Sequence, residues 1–235
     1  SRTPLASDKS YLLPLKMSET SQEGFDLDEN VCFLKVENPK YGTLDCDRSK
    51  WEVVFCNSDE KNAVSEPNGD KGGVGCLFDD DINSYWHANW SGGTNNDDQF
   101  PQLFQGGREM PITIVVDMKE SLIVHSIGWT QRQNSDYQDT KKVEYYVSDD
   151  EQFKLGGKED YSPVALNNWT FVMERSYQKG YNATQWQTQS EEVLQKKVKG
   201  HLLKVKIVEG YRDRLASGAE LYVKQLLAID GEPIK

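Results

Sequence analysis

From residue 112 onward the chain carries six short runs of alternating or β-branched character: ITIVVDM (112–118), LIVHSIGWT (122–130), KVEYYVS (142–148), WTFVME (169–174), LLKVKIV (202–208) and LYVKQLLAI (221–229). Side chains alternate across a pleated backbone, so a period of two marks a strand with one face turned to a core. Gly, Asn and Asp clusters separate the runs and supply the backbone freedom that turns need. The one competing pattern is SEEVLQKKVKG (190–200), which reads as a short helix or a strand entry. Many short strands with turn punctuation predict an all-β sandwich.

At 235 residues the chain is long enough for one large β domain, or for a domain with an appendage. Its net charge of −11 argues against a nucleic-acid partner and against an anionic membrane surface, since either needs a clustered basic face. No stretch reaches the roughly 20 apolar residues that span a bilayer, and the polar start SRTPLASDKS has no signal-peptide hydrophobic region. These features predict a soluble chain, or a mature or trimmed fragment. The four cysteines (Cys32, Cys46, Cys56, Cys76) lack the paired spacing of a structural zinc site and read as buried or free thiols, or as one disulfide of unassigned pairing. Three sequons, at Asn89, Asn168 and Asn182, carry little weight.

Residues 1–45 differ in character. Tyr11 to Met17 and Val31 to Val36 are apolar segments joined by an acidic loop, which predicts a strand pair; two strands alone cannot bury both faces. The turn from Asn38 to Asp47 interrupts the apolar pattern, so the expected division is 1–45 and 46–235.

The segment LFDDDINSYWHANW (77–90) concentrates chemistry-bearing residues. Carboxylates in a tight turn offer oxygens to a hard cation, and a His with an outward-facing Trp suits a small polar ligand that has an apolar face. Each feature also has a plainer reading. Asp79 to Asp81 would be a solvated turn, His87 a satisfied, partly buried imidazole, and Arg132 a surface partner of Asp136 or Asp139; Trp86 reads as core.

The segment resembles the discoidin, or coagulation factor 5/8 type C, fold, and within it the galactose-binding-like carbohydrate modules of family 32. Their pattern Asp-Gly-Asp-x-x-Thr-x-Trp-His-Ser falls on Asp79, Asp81, Ser84, Trp86 and His87, with Ser for Thr and Asp80 in place of Gly. Further matches follow in order: Trp51, Ser58 and Glu60, Pro111 and Asp117, Gln131-Arg132, YYVSDD at 145–150, and Ala219-Glu220. The resemblance implies an eight-stranded jelly-roll β-sandwich with a short N-terminal strand appendage. The first 45 residues are similar to the last strands of a small β domain of unknown function in surface proteins of Bacteroidetes.

Two sites follow from the resemblance. A structural calcium ion would be held by the side chains of Asp79, Ser84 and Glu220 and the carbonyls of Cys76, Asp81 and Ala219, fastening the first loop to the last strand. A sugar would be held at one end of the jelly roll by His87, Trp90, Arg132 and Tyr211, with Asn134, Asp136 and Glu60 as further hydrogen-bond partners. At Asp80 the family's Gly serves a positive φ, which Asp adopts less readily. The 91–110 insertion, with Phe100, Leu103 and Phe104, would wall the pocket, offer its own platform or fill it.

Animal relatives close the domain with a disulfide between its ends, and no Cys follows Cys76, which favours the bacterial branch. The leading expectation is a non-catalytic glycan-binding module of an extracellular or bacterial cell-surface protein. A glycan is then the partner, with other domains of a longer polypeptide as a second kind. The alternative is a structural or adhesion domain without sugar binding. Lipid recognition is set aside by the net charge. An enzyme is not expected, because His87, His125 and His201 are scattered and no Ser or Cys lies in a nucleophile motif.

Overall fold

The computed structural model describes residues 10–16, 31–37, 39–60, 71–90, 109–151 and 168–234. Within these lie strands β1 (Ser10–Lys16), β2 (Val31–Glu37), β3 (Tyr41–Asp45), β4 (Glu52–Cys56), β5 (Lys71–Gly72), β6 (Tyr85–His87), β7 (Ile112–Thr130), β8 (Thr140–Ser148), β9 (Thr170–Ser176), β10 (Thr184–Thr188), β11 (Lys199–Gly210), β12 (Ser217–Gly218), β13 (Glu220–Ile229) and β14 (Glu232–Pro233), with one short helix, α1 (Glu191–Gln195). The fold is all-β, as the strand pattern predicts. The chain divides into two compact units, Ser1–Gly42 with Ala228–Lys235, and Thr43–Leu227.

In the smaller unit β1 and β2 pair antiparallel, with Leu13 opposite Leu34. Leu12, Leu13, Leu15 and Leu34 are all exposed. β14 folds back on the end of β13, and the Lys40 amide donates to Asp230 Oδ1 at 2.8 Å while the Asp230 amide donates to the Lys40 carbonyl at 2.7 Å.

The larger unit is organised by β7. Its first part pairs with β4 and β11, and its second with β10 and β13. Two of the six sequence runs are therefore one strand that passes through a corner at Lys119 (φ 65°). The Lys119 ammonium holds that corner, 2.6 Å from Glu52 and 2.8 Å from Asp117. β8 pairs with β11, and β9 extends the sheet beyond it.

The stretch 190–200 realises both of its readings. Ser190 caps α1 by accepting from the Val193 amide, and β11 begins at Lys199. β10 (TQWQT) was not foreseen, because its residues are polar and half exposed and so carry no alternation signal. It docks by laying Trp186 on the backbone of Gly128, where a Cβ would come within 3.0 Å of the indole.

The core of the larger unit gathers around Trp86, Trp129, Tyr145, Tyr177, Ile114, Ile127, Leu203 and Val205. The Tyr145 and Tyr177 hydroxyls are 2.7 Å apart, so each buried phenol has a partner. Cys46, Cys56 and Cys76 are free thiols, and burial pushes the Cys46 thiol up to about 12. No helix among the described residues is long and apolar enough to cross a membrane.

Candidate functional site

The site grows from β6, which lies between β12 and β5 in a small sheet. Alternation along Tyr85-Trp86-His87 sends Trp86 into the core, where it is fully buried and its indole N–H donates to the Ser58 carbonyl at 3.3 Å. Tyr85 and His87 share the opposite face. Gly218 on β12 faces Trp86 and lets the Trp129 ring approach, since a Cβ there would lie 2.3 Å from it.

His87 lies beneath the surface, 3% exposed. Its Nδ1 is 2.6 Å from the Ala88 carbonyl and its Nε2 is 3.3 Å from Asp139 Oδ2. Both ring nitrogens therefore face protein oxygens. This departs from the expected direct sugar contact and gives His87 the place of a support for Asp139.

Asp139 is itself fully buried. The Arg212 fork grips it, Nε to Oδ1 at 2.5 Å and Nη2 to Oδ2 at 2.6 Å. Burial alone would raise this carboxyl, but Arg212 and His87 outweigh burial and hold it below the usual carboxylate range. The Asp139 carbonyl accepts from the Tyr211 amide at 2.7 Å. One buried carboxylate thus ties the loop after β7 to the loop after β11.

Above that anchor lies a run of rings and guanidiniums. The Arg132 Cζ sits 3.6 Å from the Tyr85 ring centroid and 4.7 Å from that of Tyr137, and the Arg212 Cζ sits 4.8 Å from Tyr137. Arg132 is therefore not a partner of Asp136 or Asp139: Arg212 takes Asp139, and Arg132 stacks on tyrosines. Asn134 caps the 3-10 turn 135–137 by accepting from the Asp136 amide at 3.0 Å, and this turn carries Tyr137.

Tyr211 is 38% exposed, and its hydroxyl donates to the Tyr177 carbonyl at 2.8 Å. Trp90 is 57% exposed. Its amide donates to Glu60 Oε2 at 2.9 Å, and the Glu60 amide donates to the His87 carbonyl at 3.0 Å. Glu60 is buried and so shapes the Trp90 loop from below.

Sequence reasoning passed over Tyr85, Tyr137 and Arg212. Tyr85 was legible as the residue two before His87 on one strand face. Arg212 follows Tyr211 directly, but nothing local in EGYRDR says which of its two arginines reaches a buried acid. Residues 91–108 of the insertion, with Phe100, Leu103 and Phe104, lie outside the described residues.

The acidic turn forms a second cluster. Asp79 accepts from the Asp81 amide and from the Ser84 hydroxyl, at 2.9 and 2.7 Å, and the Cys76 carbonyl is 3.4 Å from Ser84 Oγ. Asp80 stands at φ 62°, the left-handed conformation expected where the family has Gly. Glu220, at the start of β13, is fully buried; its Oε2 accepts from Arg48 Nη1 at 2.5 Å, while Oε1 has no hydrogen-bond partner.

Arg48 also donates to the carbonyls of Leu77 (3.1 Å) and Leu221 (2.9 Å), pairs with the Asp80 carboxylate, and lies 4.0 Å above the Tyr222 ring. Burial pushes Glu220 up to about 7; Arg48 opposes the rise, and the neighbouring Asp79 carboxylate adds to it. A buried, partnerless carboxylate oxygen facing a second carboxylate is a place for a proton or a cation. The donors there are hard oxygens of the kind calcium takes. Among the described residues no group of three or more His, Cys, Asp or Glu side chains could hold a metal, so an ion here would draw on two carboxylates, the Ser84 hydroxyl and backbone carbonyls.

No protein-family model matches the chain, and no curated protein does. Solved structures do. The C-terminal domain of a chitobiase from Bacteroides fragilis is similar with a TM-score of 0.55 at 18% identity, covering 79% of this chain and 100% of that one. A family 32 carbohydrate-binding module from Clostridium perfringens, in complex with GalNAc-β-1,3-galactose, has a TM-score of 0.54 at 16% identity, covering 77% and 99%. An F5/8 type C domain from Bacteroides fragilis has a TM-score of 0.50 at 11% identity, covering 78% and 97%. The chain has the F5/8 type C, galactose-binding-like fold.

Proposed function

We propose that this domain is a non-catalytic glycan-binding module of an extracellular or bacterial cell-surface protein. It takes galactose- or N-acetylhexosamine-containing glycans at the loop end formed by Trp90, Arg132, Asn134 and Tyr211, with His87 bracing that end from beneath. The observation that carries the reading is Trp90, a large aromatic left 57% exposed on a loop whose backbone is fixed by buried Glu60. A held indole offers a flat apolar face to the C–H patch of a pyranose, and adjacent polar groups offer bonds to its hydroxyls. The fold shared with carbohydrate-binding modules supports the reading.

Trp90→Ala is expected to abolish retention on a glycan array while leaving the melting temperature near that of the parent. Equal retention by the two proteins would remove Trp90 from the site. Affinity for a single sugar will be weak, because few atoms offset the loss of hydration and freedom.

Calcium belongs to the same proposal. Asp79, Ser84 and Glu220, with the carbonyls of Cys76, Asp81 and Ala219, would hold it, and the partnerless Glu220 Oε1 is the feature that suits it. Bound there, the ion would supply positive charge to the buried Glu220 carboxylate and to Asp79, and no catalysis.

Glu220 has a folded-state value of about 7, above about 4.3 for an unfolded chain. Between these values the native state holds the proton more tightly, so stability falls as pH rises through that window and stays lower above it. A cation at Oε1 favours the ionised form and removes the loss. Melting curves in chelator should decline from about pH 4.3 to about pH 7, whereas with calcium they should stay flat there. Superimposable curves would exclude the ion.

A further inference from the structure

Arg48 and Arg132 both stack on tyrosine rings, and they are satisfied differently. Arg48, over Tyr222 at 4.0 Å, is surrounded by the oxygens of Glu220, Asp80, Leu77 and Leu221. Arg132, over Tyr85 at 3.6 Å and near Tyr137 at 4.7 Å, has no carboxylate in ion-pair reach among the described residues. Burial pushes both guanidiniums down. At Arg48 the carboxylates of Glu220 and Asp80 outweigh burial and the net direction is upward. At Arg132 the net direction stays downward, with Tyr85, Asp139 and Tyr137 opposing burial and Arg212 reinforcing it.

The surrounding charges explain why Arg132 is left over. Asp139 is the buried acid of this cluster; both of its oxygens accept from Arg212, and Oδ2 also faces His87 Nε2 at 3.3 Å. Asp136 stands exposed on the neighbouring turn, where its field acts on Arg212. Arg132 is therefore left as a half-buried cation over Tyr85 and Tyr137, with no ion-pair partner among the described residues.

Resting on the glycan-binding reading of this end, we infer that the sugar held there carries a carboxylate, which the Arg132 guanidinium takes as its counter-ion. Stacking on a ring engages the face of the guanidinium and leaves its in-plane N–H fork for a planar acceptor. A carboxylate matches that fork with two charge-assisted bonds. Sugar hydroxyls supply dipoles only and leave the cation uncompensated. The ligand class is an acidic sugar residue, such as a uronic acid, within or at the end of a glycan.

A matched set tests this: methyl α-galactopyranoside, the corresponding galacturonate, and the methyl ester of that acid, run with an array of neutral and acidic oligosaccharides. The acid should bind at least about tenfold more tightly than its neutral counterparts at low salt. The preference should narrow as ionic strength rises, and Arg132→Gln should remove it. Arg132→Lys, which keeps the charge and loses the fork, should lose most of it while melting close to the parent. Neutral glycans binding as well as acidic ones, with dependence on Trp90, would overturn the carboxylate and leave the glycan-binding site standing. No binding to either class would overturn both.

Discussion

Trp86→Ala is expected to lower stability by about 3 to 5 kcal/mol, while Trp90→Ala, four residues later, shifts it by no more than about 0.5 kcal/mol. Both are tryptophans in one short segment, so composition does not separate them. Strand alternation does. Trp86 points inward from β6, is fully buried among core residues and donates to the Ser58 carbonyl, so its truncation loses buried apolar area and opens a cavity beneath the site. Trp90 has left the strand and is 57% exposed. Urea denaturation of the two variants measures both values. Equal losses would mean that the division between core and binding surface is misplaced.

Arg48→Met is expected to cost about 3 to 5 kcal/mol near pH 8, because it strips the partner from a fully buried carboxylate. The substitution keeps an apolar stem, so the change is mainly one of charge. Without Arg48 the Glu220 carboxylate sits against Asp79 with no other cation among the described residues beside it, and its pull toward the protonated form grows. The loss should therefore shrink toward pH 5, where Glu220 is protonated and neutral. Calcium should restore part of the stability at pH 8 if it occupies the free side of Glu220. A loss that is the same at both pH values would show that Arg48 acts through packing and its carbonyl contacts rather than through Glu220.

Much of the fold was legible because period-two alternation is a local signal. The runs at 142–148, 169–174, 202–208 and 221–229 became β8, β9, β11 and β13 with small shifts at their ends. Two runs fused because the corner at Lys119 bends the strand without breaking it, and a left-handed Lys gives no sign in the sequence. β10 escaped because its polar residues are held by Trp186 over Gly128, a tertiary contact.

The site was legible at the level of the segment and less so at the level of roles. The stretch YWHANW carries Tyr85, whose ring lies under Arg132, His87, which reaches Asp139, and Trp90, which is exposed. That His87 is turned to Asp139, and that Arg212 rather than Arg132 grips that acid, depends on loops far apart in sequence meeting at a buried carboxylate. Arg48 was invisible for the same reason, since it reaches Glu220 across 172 residues.

The measurement that tests the central claim most directly is an NMR titration of the folded domain with an acidic galactose-containing oligosaccharide, following the indole N–H and guanidinium resonances. The account predicts saturable shifts at Trp90, Arg132 and the backbone of Tyr211, with Trp86 and Trp129 unmoved. Shifts centred on Trp186, which is 40% exposed on the sheet face, would place the binding surface elsewhere. A spectrum unchanged across the titration would contradict glycan binding at the loop end.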